Sequence, residues 1–261
     1  CGIVGYIGEE QAAPILLDGL SKLEYRGYDS AGIAVYNNGE IKAAKAMGRL
    51  KVLDALTQGG QTLPGRAGIG HTRWATHGVP SNTNAHPHFN KDESIAVVHN
   101  GIIENFMKLK KLLESKGYTF VSDTDSEVVA HLLDYYYKGD PLEAITRMMH
   151  RVEGSYALGI LFKDHPDQVY AARKDCPLIA GKGETGNFVA SDVPAILHHT
   201  RTVYFIENEE IVQLTADALH FYNIDGEEIE KESTEITWDL EAAEKGGYDH
   251  FLLKEIYEQP K

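Results

Sequence analysis

Cysteine is scarce, with two in 261 residues, Cys1 and Cys176. One possible bridge cannot staple a chain of this length, and nothing else reads as secreted, so a reducing compartment is expected. Long apolar runs are missing too. No stretch approaches the roughly 20 apolar residues that a membrane helix needs. The first residues lack the basic region, apolar core and small-residue end of a secretory signal, and the expected location is the cytoplasm. Positive charge is also short: 25 Lys and Arg face 39 Asp and Glu, a net charge of −14 with His neutral. That balance excludes a non-specific grip on nucleic acid or on an anionic membrane surface. A small anion or zwitterion at a local positive spot remains compatible with it. Low-complexity tracts and repeats of about 20–50 residues are absent. What is present, 43% hydrophobic and 25% charged residues, is enough to bury a core.

The strand and helix signals alternate in blocks. "CGIVGYIG" reads as a strand, and "AAPILLDGLSKLEYRG" as a helix, with Ile15, Leu16, Leu20 and Leu23 at helical spacing and Gly27 as its stop. "AGIAVYNNGEIKAAKA" reads as a hairpin around Asn37-Asn38-Gly39. "GIGHTRWATHG" and "SIAVVHNG" each run from a strand into a polar loop. Three amphipathic helices follow, in residues 105–117, 123–139 and 140–154, the last with Asp140 as N-cap and Pro141 at its first position. From Ser155 onward the pattern is hairpins, including a turn at Asp225-Gly226. Strands in antiparallel runs with helices grouped between them argue for an α+β fold with packed antiparallel sheets.

Cys1 is the first candidate for chemistry. A cysteine followed by a small residue is what removal of an initiator methionine leaves, so Cys1 is expected to be a mature N-terminus. A thiol ordinarily ionises near about 8.5 and an α-amine near about 7.7–8.0. The amine is therefore partly free base at neutral pH, a few bonds from the sulfur. It can take the thiol proton directly or through water, the task a histidine performs for other nucleophiles. The alternative is a frayed or buried terminal residue.

In "HTRWATHG", Arg73 offers a planar fork suited to a carboxylate, with Trp74, Thr76 and His77 after it, or else pairs with a surface acid. Asn100-Gly101 in "VVHNGIIEN" is either a turn or an oxyanion hole built from the Asn100 side-chain amide and the Gly101 N–H. In "SDTDSEVVAHLL", Thr124-x-x-Glu127 fits a capping box, and helix capping accounts for Asp125 as fully as ligand binding would. Arg26, Tyr28, Asp29 and Ser30 are expected to form a supporting polar network. Cys176 is expected to be a structural thiol. Five histidines, at 71, 77, 86, 88 and 99, invite a metal. Pro87 separates the closest two, and no cysteine pair or carboxylate spacing completes a site, so neither metal nor cofactor is expected.

Together "CGIVG", "LEYRGYDSAGIAV", "HTRWATHG", "NAHPH", "VVHNGIIEN" and "SDTDSE" resemble the glutaminase domain of the glutamine–fructose-6-phosphate aminotransferase family, over essentially the whole chain. The tail "YDHFLLKEIYEQP" resembles that family's passage into a sugar-phosphate isomerase half. The resemblance implies a glutaminase type 2 domain over residues 1–239 and a linker over 240–261. It implies an N-terminal-nucleophile hydrolase fold, a four-layer αββα sandwich of two antiparallel sheets. It makes Cys1 the nucleophile and its α-amine the base, with Asn100 and Gly101 as the oxyanion hole. It gives Arg73 the glutamine α-carboxylate and Asp125 the α-ammonium, and makes Trp74, Thr76 and His77 the loop that closes over the substrate. Arg26 is placed as a supporting residue.

The implied reaction is hydrolysis of L-glutamine to glutamate and ammonia through a γ-glutamyl thioester. In a full-length enzyme, expected to be a homo-oligomer, ammonia would convert fructose 6-phosphate to glucosamine 6-phosphate in the isomerase half. The rivals are the glutaminase domain of another amidotransferase, serving phosphoribosylpyrophosphate or asparagine chemistry, a catalytically silent glutamine-binding module that regulates a partner, and a metal-binding protein built on the histidines.

Overall fold

Every residue of the strand Gly2–Gly8 is buried, which requires cover on both of its faces. The computed structural model describes residues 1–26, 28–75 and 78–237 and shows what supplies that cover. The Gly27 stop, Thr76, His77 and the expected linker over 240–261 lie outside the described residues, as does the side chain of Arg26.

The first half of the chain contains β1 (Gly2–Gly8), α1 (Ala12–Ser21), β2 (Ser30–Asn37), β3 (Glu40–Met47), α2 (Leu50–Leu56), β4 (Ala67–Arg73), β5 (His88–Phe89) and β6 (Ile95–Ile103). Three helices follow, α3 (Phe106–Ser115), α4 (Glu127–Tyr136) and α5 (Pro141–Arg151). Next come β7 (Gly154–Phe162), β8 (Val169–Lys174), β9 (Ile179–Lys182) and β10 (Gly186–Ala190). The last strands are β11 (Thr202–Phe205), β12 (Glu210–Leu214), β13 (Leu219–Tyr222), β14 (Glu228–Ile229) and β15 (Thr234–Glu235).

The strands form two sheets, ordered β15-β11-β9-β10-β1-β4-β2-β3 and β14-β13-β12-β8-β7-β6-β5. The pairs that build them are antiparallel, as expected from the hairpin pattern. Three apolar layers hold the sheets in place. Val4 and Tyr6 face α1 and α2, while Ile3 and Ile7, on the opposite face of β1, meet Ala96, Val98 and Leu161 of the second sheet. On the far side of that sheet, Val97, Leu158 and Ile160 pack against α3, α4 and α5. The order is therefore helix, sheet, sheet, helix, the αββα arrangement that the resemblance implies. Each fully buried leucine, such as Leu16 or Leu20 on α1, contributes about 1.5–3 kcal/mol through apolar area removed from water.

Local chemistry accounts for several boundaries. Asn38 and Gly39 both have positive φ between the paired residues Asn37 and Glu40, the two-residue hairpin turn that Asn-Gly favours. The Asp140 carboxylate accepts from the N–H of Leu142 and of Glu143 at 3.0 and 3.4 Å, with Pro141 at the first helical position. The capping box at Thr124 does not form: α4 begins at Glu127 after Ser126, with no side-chain cap. Glu127 is buried and has better partners than a cap residue. Its carboxylate accepts from the N–H of Val121 and of Ser122 and pairs with His131 Nε2 at 2.8 Å. Thr124 turns instead to Ser122 and His88. Helix α2 gives no sequence signal, since it is seven residues long, buries only Leu50 and Leu53, and has no side-chain cap.

Candidate active site

The ends of β1, β4 and β6 meet at one cavity. In the first sheet Gly2 pairs with Thr72, so the antiparallel register brings Cys1 beside Arg73. Chain continuity after Arg73 brings Trp74 against the sulfur. The Trp74 N–H donates to Cys1 Sγ at 3.2 Å, and the thiol faces the Trp74 carbonyl at 3.6 Å. An N–H directed at sulfur stabilises negative charge there. Cys1 is half-buried, so the sulfur is held by the sheet edge and still reachable.

A cavity of about 260 Å³ opens in front of the thiol. Of the expected catalytic and substrate-binding residues, Cys1, Arg73, Trp74, Gly101 and Asp125 line it; His86, His99, Ser126 and Ser155 complete much of the wall. Arg73 is only 3% exposed. Its guanidinium donates to the carbonyls of Gly78 and Val79 at 3.0 and 3.3 Å and lies 3.8 Å from Asp29. Burial pulls Arg73 down from the usual arginine range, and Asp29 and Asp125 oppose that shift. Asp125 is buried and accepts from the Ile103 N–H at 2.7 Å, which ties it to the end of β6.

Gly101 sits in β6 with φ +114, opposite Tyr156 of β7. That backbone region suits glycine, and a Cβ there would lie 2.3 Å from the Ser155 carbonyl oxygen. Asn100 stands behind the cavity wall, its Oδ1 3.0 Å from His71 Nε2. The two residues are therefore part of a strand rather than a free turn.

Asp29 does the supporting work expected of the 24–32 stretch. Its N–H donates to the Arg73 carbonyl at 2.6 Å, and its carboxylate accepts from the Ala75 N–H at 2.5 Å and the Ser30 hydroxyl at 3.0 Å. It thereby fixes the chain on both sides of Trp74. Tyr25 reaches Asp192 through a short hydrogen bond.

Four of the five histidines lie within the described residues. Among the described residues, no group of three or more His, Cys, Asp or Glu is placed to hold a metal ion. His71, His86, His88 and His99 are buried together under the cavity. His71 stacks on His86 with ring centroids 3.9 Å apart and planes 17° apart, and His86 meets His88 edge-on. The His99 backbone N–H donates to His86 Nδ1 at 3.1 Å, which leaves the His86 proton on Nε2, facing the Ser126 hydroxyl at 3.5 Å. Ser126 in turn lies 2.8 Å from His99 Nδ1, and His99 Nε2 donates to the Ser155 carbonyl at 3.4 Å. Burial pushes His71 and His86 well below the usual histidine range and His88 down to about 3. His71, His86 and His88 are neutral near pH 7. Sequence reasoning weighed these residues only as metal ligands, and their pairing across two sheets leaves no local signature.

Cys176 lies behind Gly101, its sulfur 3.0 Å from where a Cβ on that glycine would stand. Burial raises its thiol above the usual range, which keeps it protonated and unreactive.

Residues 71–198 match the family described as a glutamine amidotransferase domain. A curated relative, glutamine–fructose-6-phosphate aminotransferase [isomerizing] of Clostridium acetobutylicum, is 59% identical over 261 residues, covering 100% of this chain and 43% of that protein. The protein of the same name from Thermus thermophilus is 51% identical over 260 residues, with the same coverage. The chain thus spans less than half the length of the curated relatives it matches. Among solved structures, the glutamine phosphoribosylpyrophosphate amidotransferase of B. subtilis, complexed with ADP and GMP, aligns with a TM-score of 0.75 and 26% identity, over 86% of this chain and 49% of that one. A structure described as the allosteric regulatory enzyme of purine biosynthesis gives 0.74 and 27% over the same shares.

Proposed function

The chain belongs to the glutamine amidotransferases, and we propose on that premise that it hydrolyses the amide of free L-glutamine through Cys1. The observation that carries the reading is the cavity itself. A thiol held by the Trp74 N–H opens onto a space bounded by a buried cation, a buried carboxylate and a strand glycine. Glutamine is a zwitterion with an amide at its far end, and it needs those groups. Arg73 takes its α-carboxylate through paired N–H donors, and Asp125 takes its α-ammonium. Trp74, Thr76 and His77 close over it, with Arg26 in support.

In the proposed chemistry, Cys1 Sγ attacks the carboxamide carbon while the thiol proton passes to the α-amine, directly or through one water. The Gly101 N–H and the Asn100 side-chain amide stabilise the tetrahedral oxyanion. The C–N bond then breaks, the amine returns its proton to the leaving nitrogen, and ammonia departs. Water hydrolyses the γ-glutamyl thioester, giving glutamate and regenerating the thiol. The reading requires the α-amine of Cys1 to be unblocked in the working protein.

Residues 1–239 are the glutaminase unit in this proposal, and 240–261 lead toward a sugar-phosphate isomerase part. In the full-length, homo-oligomeric, cytoplasmic enzyme that part would combine ammonia with fructose 6-phosphate to form glucosamine 6-phosphate. Identities of 59% and 51% to aminotransferases of that name favour this acceptor over the phosphoribosylpyrophosphate named for a solved structure at 26%.

The test is glutamate release from glutamine by the chain itself. Cys1→Ala and a variant with one residue retained before Cys1 are both expected to lose it, and normal turnover in either contradicts the mechanism.

A further inference from the structure

The nucleophile and the oxyanion donors belong to different sheets, with Cys1 ahead of β1 in one and Asn100 and Gly101 on β6 in the other. Apolar packing between sheets sets their separation but not the direction in which an amide points. A side-chain hydrogen bond crosses the layer at this place. His71 of β4, fully buried, puts Nε2 3.0 Å from Asn100 Oδ1. We infer that His71 is the positioning residue of the oxyanion hole: its Nε2–H pins the oxygen of Asn100, leaving the Nδ2–H₂ end as the only donor Asn100 can offer an oxyanion. The inference rests on the glutaminase reading above.

The tautomer follows from the surroundings. His71 Nδ1 has no hydrogen-bond partner among the described residues. A neutral imidazole carries one ring proton. On Nε2, that proton meets the Asn100 oxygen, and Nδ1 is left as a bare lone pair. On Nδ1, it would be a buried N–H without an acceptor, and Nε2 would present its lone pair to an oxygen. Buried orphan N–H groups are rare because their desolvation is uncompensated. Turning the Asn100 amide over would place Nδ2–H against Nε2 and force the His71 proton onto that same unpartnered Nδ1. The bare Nδ1 therefore fixes the orientation of a side chain on the other sheet.

The ring itself cannot swing. It stacks on His86 at 3.9 Å, and the His99 backbone N–H holds His86 from the neighbouring position to Asn100. Thus β6 supplies both the amide to be oriented and the donor that fixes the orienting pair.

The experiment combines kinetics with spectroscopy. His71→Phe keeps an aromatic ring against His86 and removes the donor. It is expected to lower kcat for glutamine hydrolysis by about 10²-fold, the usual cost of misplacing a reacting group by roughly 1 Å. KM is expected to stay within about threefold, because the Arg73 and Asp125 contacts remain. A residue acting through Asn100 must also be non-additive with it, so His71→Phe/Asn100→Ala should be no slower than Asn100→Ala alone. A kcat within twofold of wild type, or losses that multiply in the double variant, overturns the inference. Long-range ¹H–¹⁵N correlation on the unmodified protein covers the case in which the variant does not fold. It should show His71 as the Nε2–H tautomer, and an Nδ1–H tautomer overturns the proposal. A wild-type chain that releases no glutamate counts against the glutaminase reading, and the tautomer then decides the positioning by itself.

Discussion

Replacing Gly101 by alanine perturbs the proposed oxyanion hole through the backbone. Two costs can be worked out separately. The first is conformational: at φ +114 an L-residue is strained by about 1–2 kcal/mol. The second is steric. The new Cβ would stand 2.3 Å from the Ser155 oxygen and 2.8 Å from the Ser155 carbonyl carbon. Those are backbone atoms of the paired strand, so β6 and β7 must part by about an ångström, an overpacking cost of roughly 1–3 kcal/mol.

Gly117 isolates the first cost. It has φ +94, but nothing lies within 4 Å of a Cβ there. Gly117→Ala is expected to lose about 1–2 kcal/mol with kcat unchanged. Gly101→Ala should lose about 2–5 kcal/mol in total. At about 2–4 °C per kcal/mol for a domain of this size, that lowers Tm by roughly 4–20 °C. Its kcat should fall about 10²–10³-fold, the usual cost of an oxyanion donor. The assays are calorimetry and glutamate release under saturating glutamine. A Gly101→Ala protein with kcat within tenfold of wild type, or no less stable than Gly117→Ala, would refute the reasoning.

Arg73→Lys should raise KM for glutamine by one to two orders of magnitude at nearly constant kcat, since an ammonium cannot reproduce a bidentate fork; an unchanged KM removes Arg73 from carboxylate binding. Acid should destabilise the fold earlier than carboxylates alone would allow. Burial, then the nearby Lys45 charge, holds His88 at about 3, with Glu127 opposing and Arg73 and His99 adding to the shift. Unfolded histidine takes up its proton near about 6.5. The unfolded chain therefore binds more protons between those values, and stability present above pH 6.5 is lost as pH falls toward 3. For Glu127, burial alone would raise the carboxyl, but hydrogen bonds from His131, Ser122 and Val121 outweigh it and hold the group at about 2. Its contribution is lost from about 4.5 down to 2. Each group steepens the decline by up to about 1.4 kcal/mol per pH unit, so Tm should fall steadily below pH 6.5; a constant Tm between pH 7 and 5 contradicts a buried, neutral His88.

The parts legible in the sequence are those that a local window contains. Asn38-Gly39 dictates its turn, Asp140-Pro141 starts α5, and the small and apolar residues of "CGIVGYIG" announce the strand β1. Thr124-x-x-Glu127 misled because a capping motif is local, whereas the preferred partners of Glu127 were the Val121 and Ser122 amides and His131 in a buried pocket. The terminal thiol stood out by its chemistry. Arg73 read equally as a surface ion pair, Asn100-Gly101 as a turn and Asp125 as a helix cap, and only the family resemblance gave these residues ligand or oxyanion roles. The hydrogen bond between His71 and Asn100 joins residues 29 apart on strands of different sheets, and no periodicity encodes it. The same holds for Asp29, whose hold on Ala75 across 46 residues depends on the pairing of β2 with β4.

The account turns on Cys1 being a nucleophile that faces a glutamine site. Mass spectrometry of the chain after incubation with a glutamine analogue bearing a diazoketone in place of the amide tests this directly. The expected result is one adduct per chain, on the peptide beginning at Cys1, suppressed by excess glutamine, with Cys176 unmodified. No adduct, or an adduct on Cys176 instead, would contradict it.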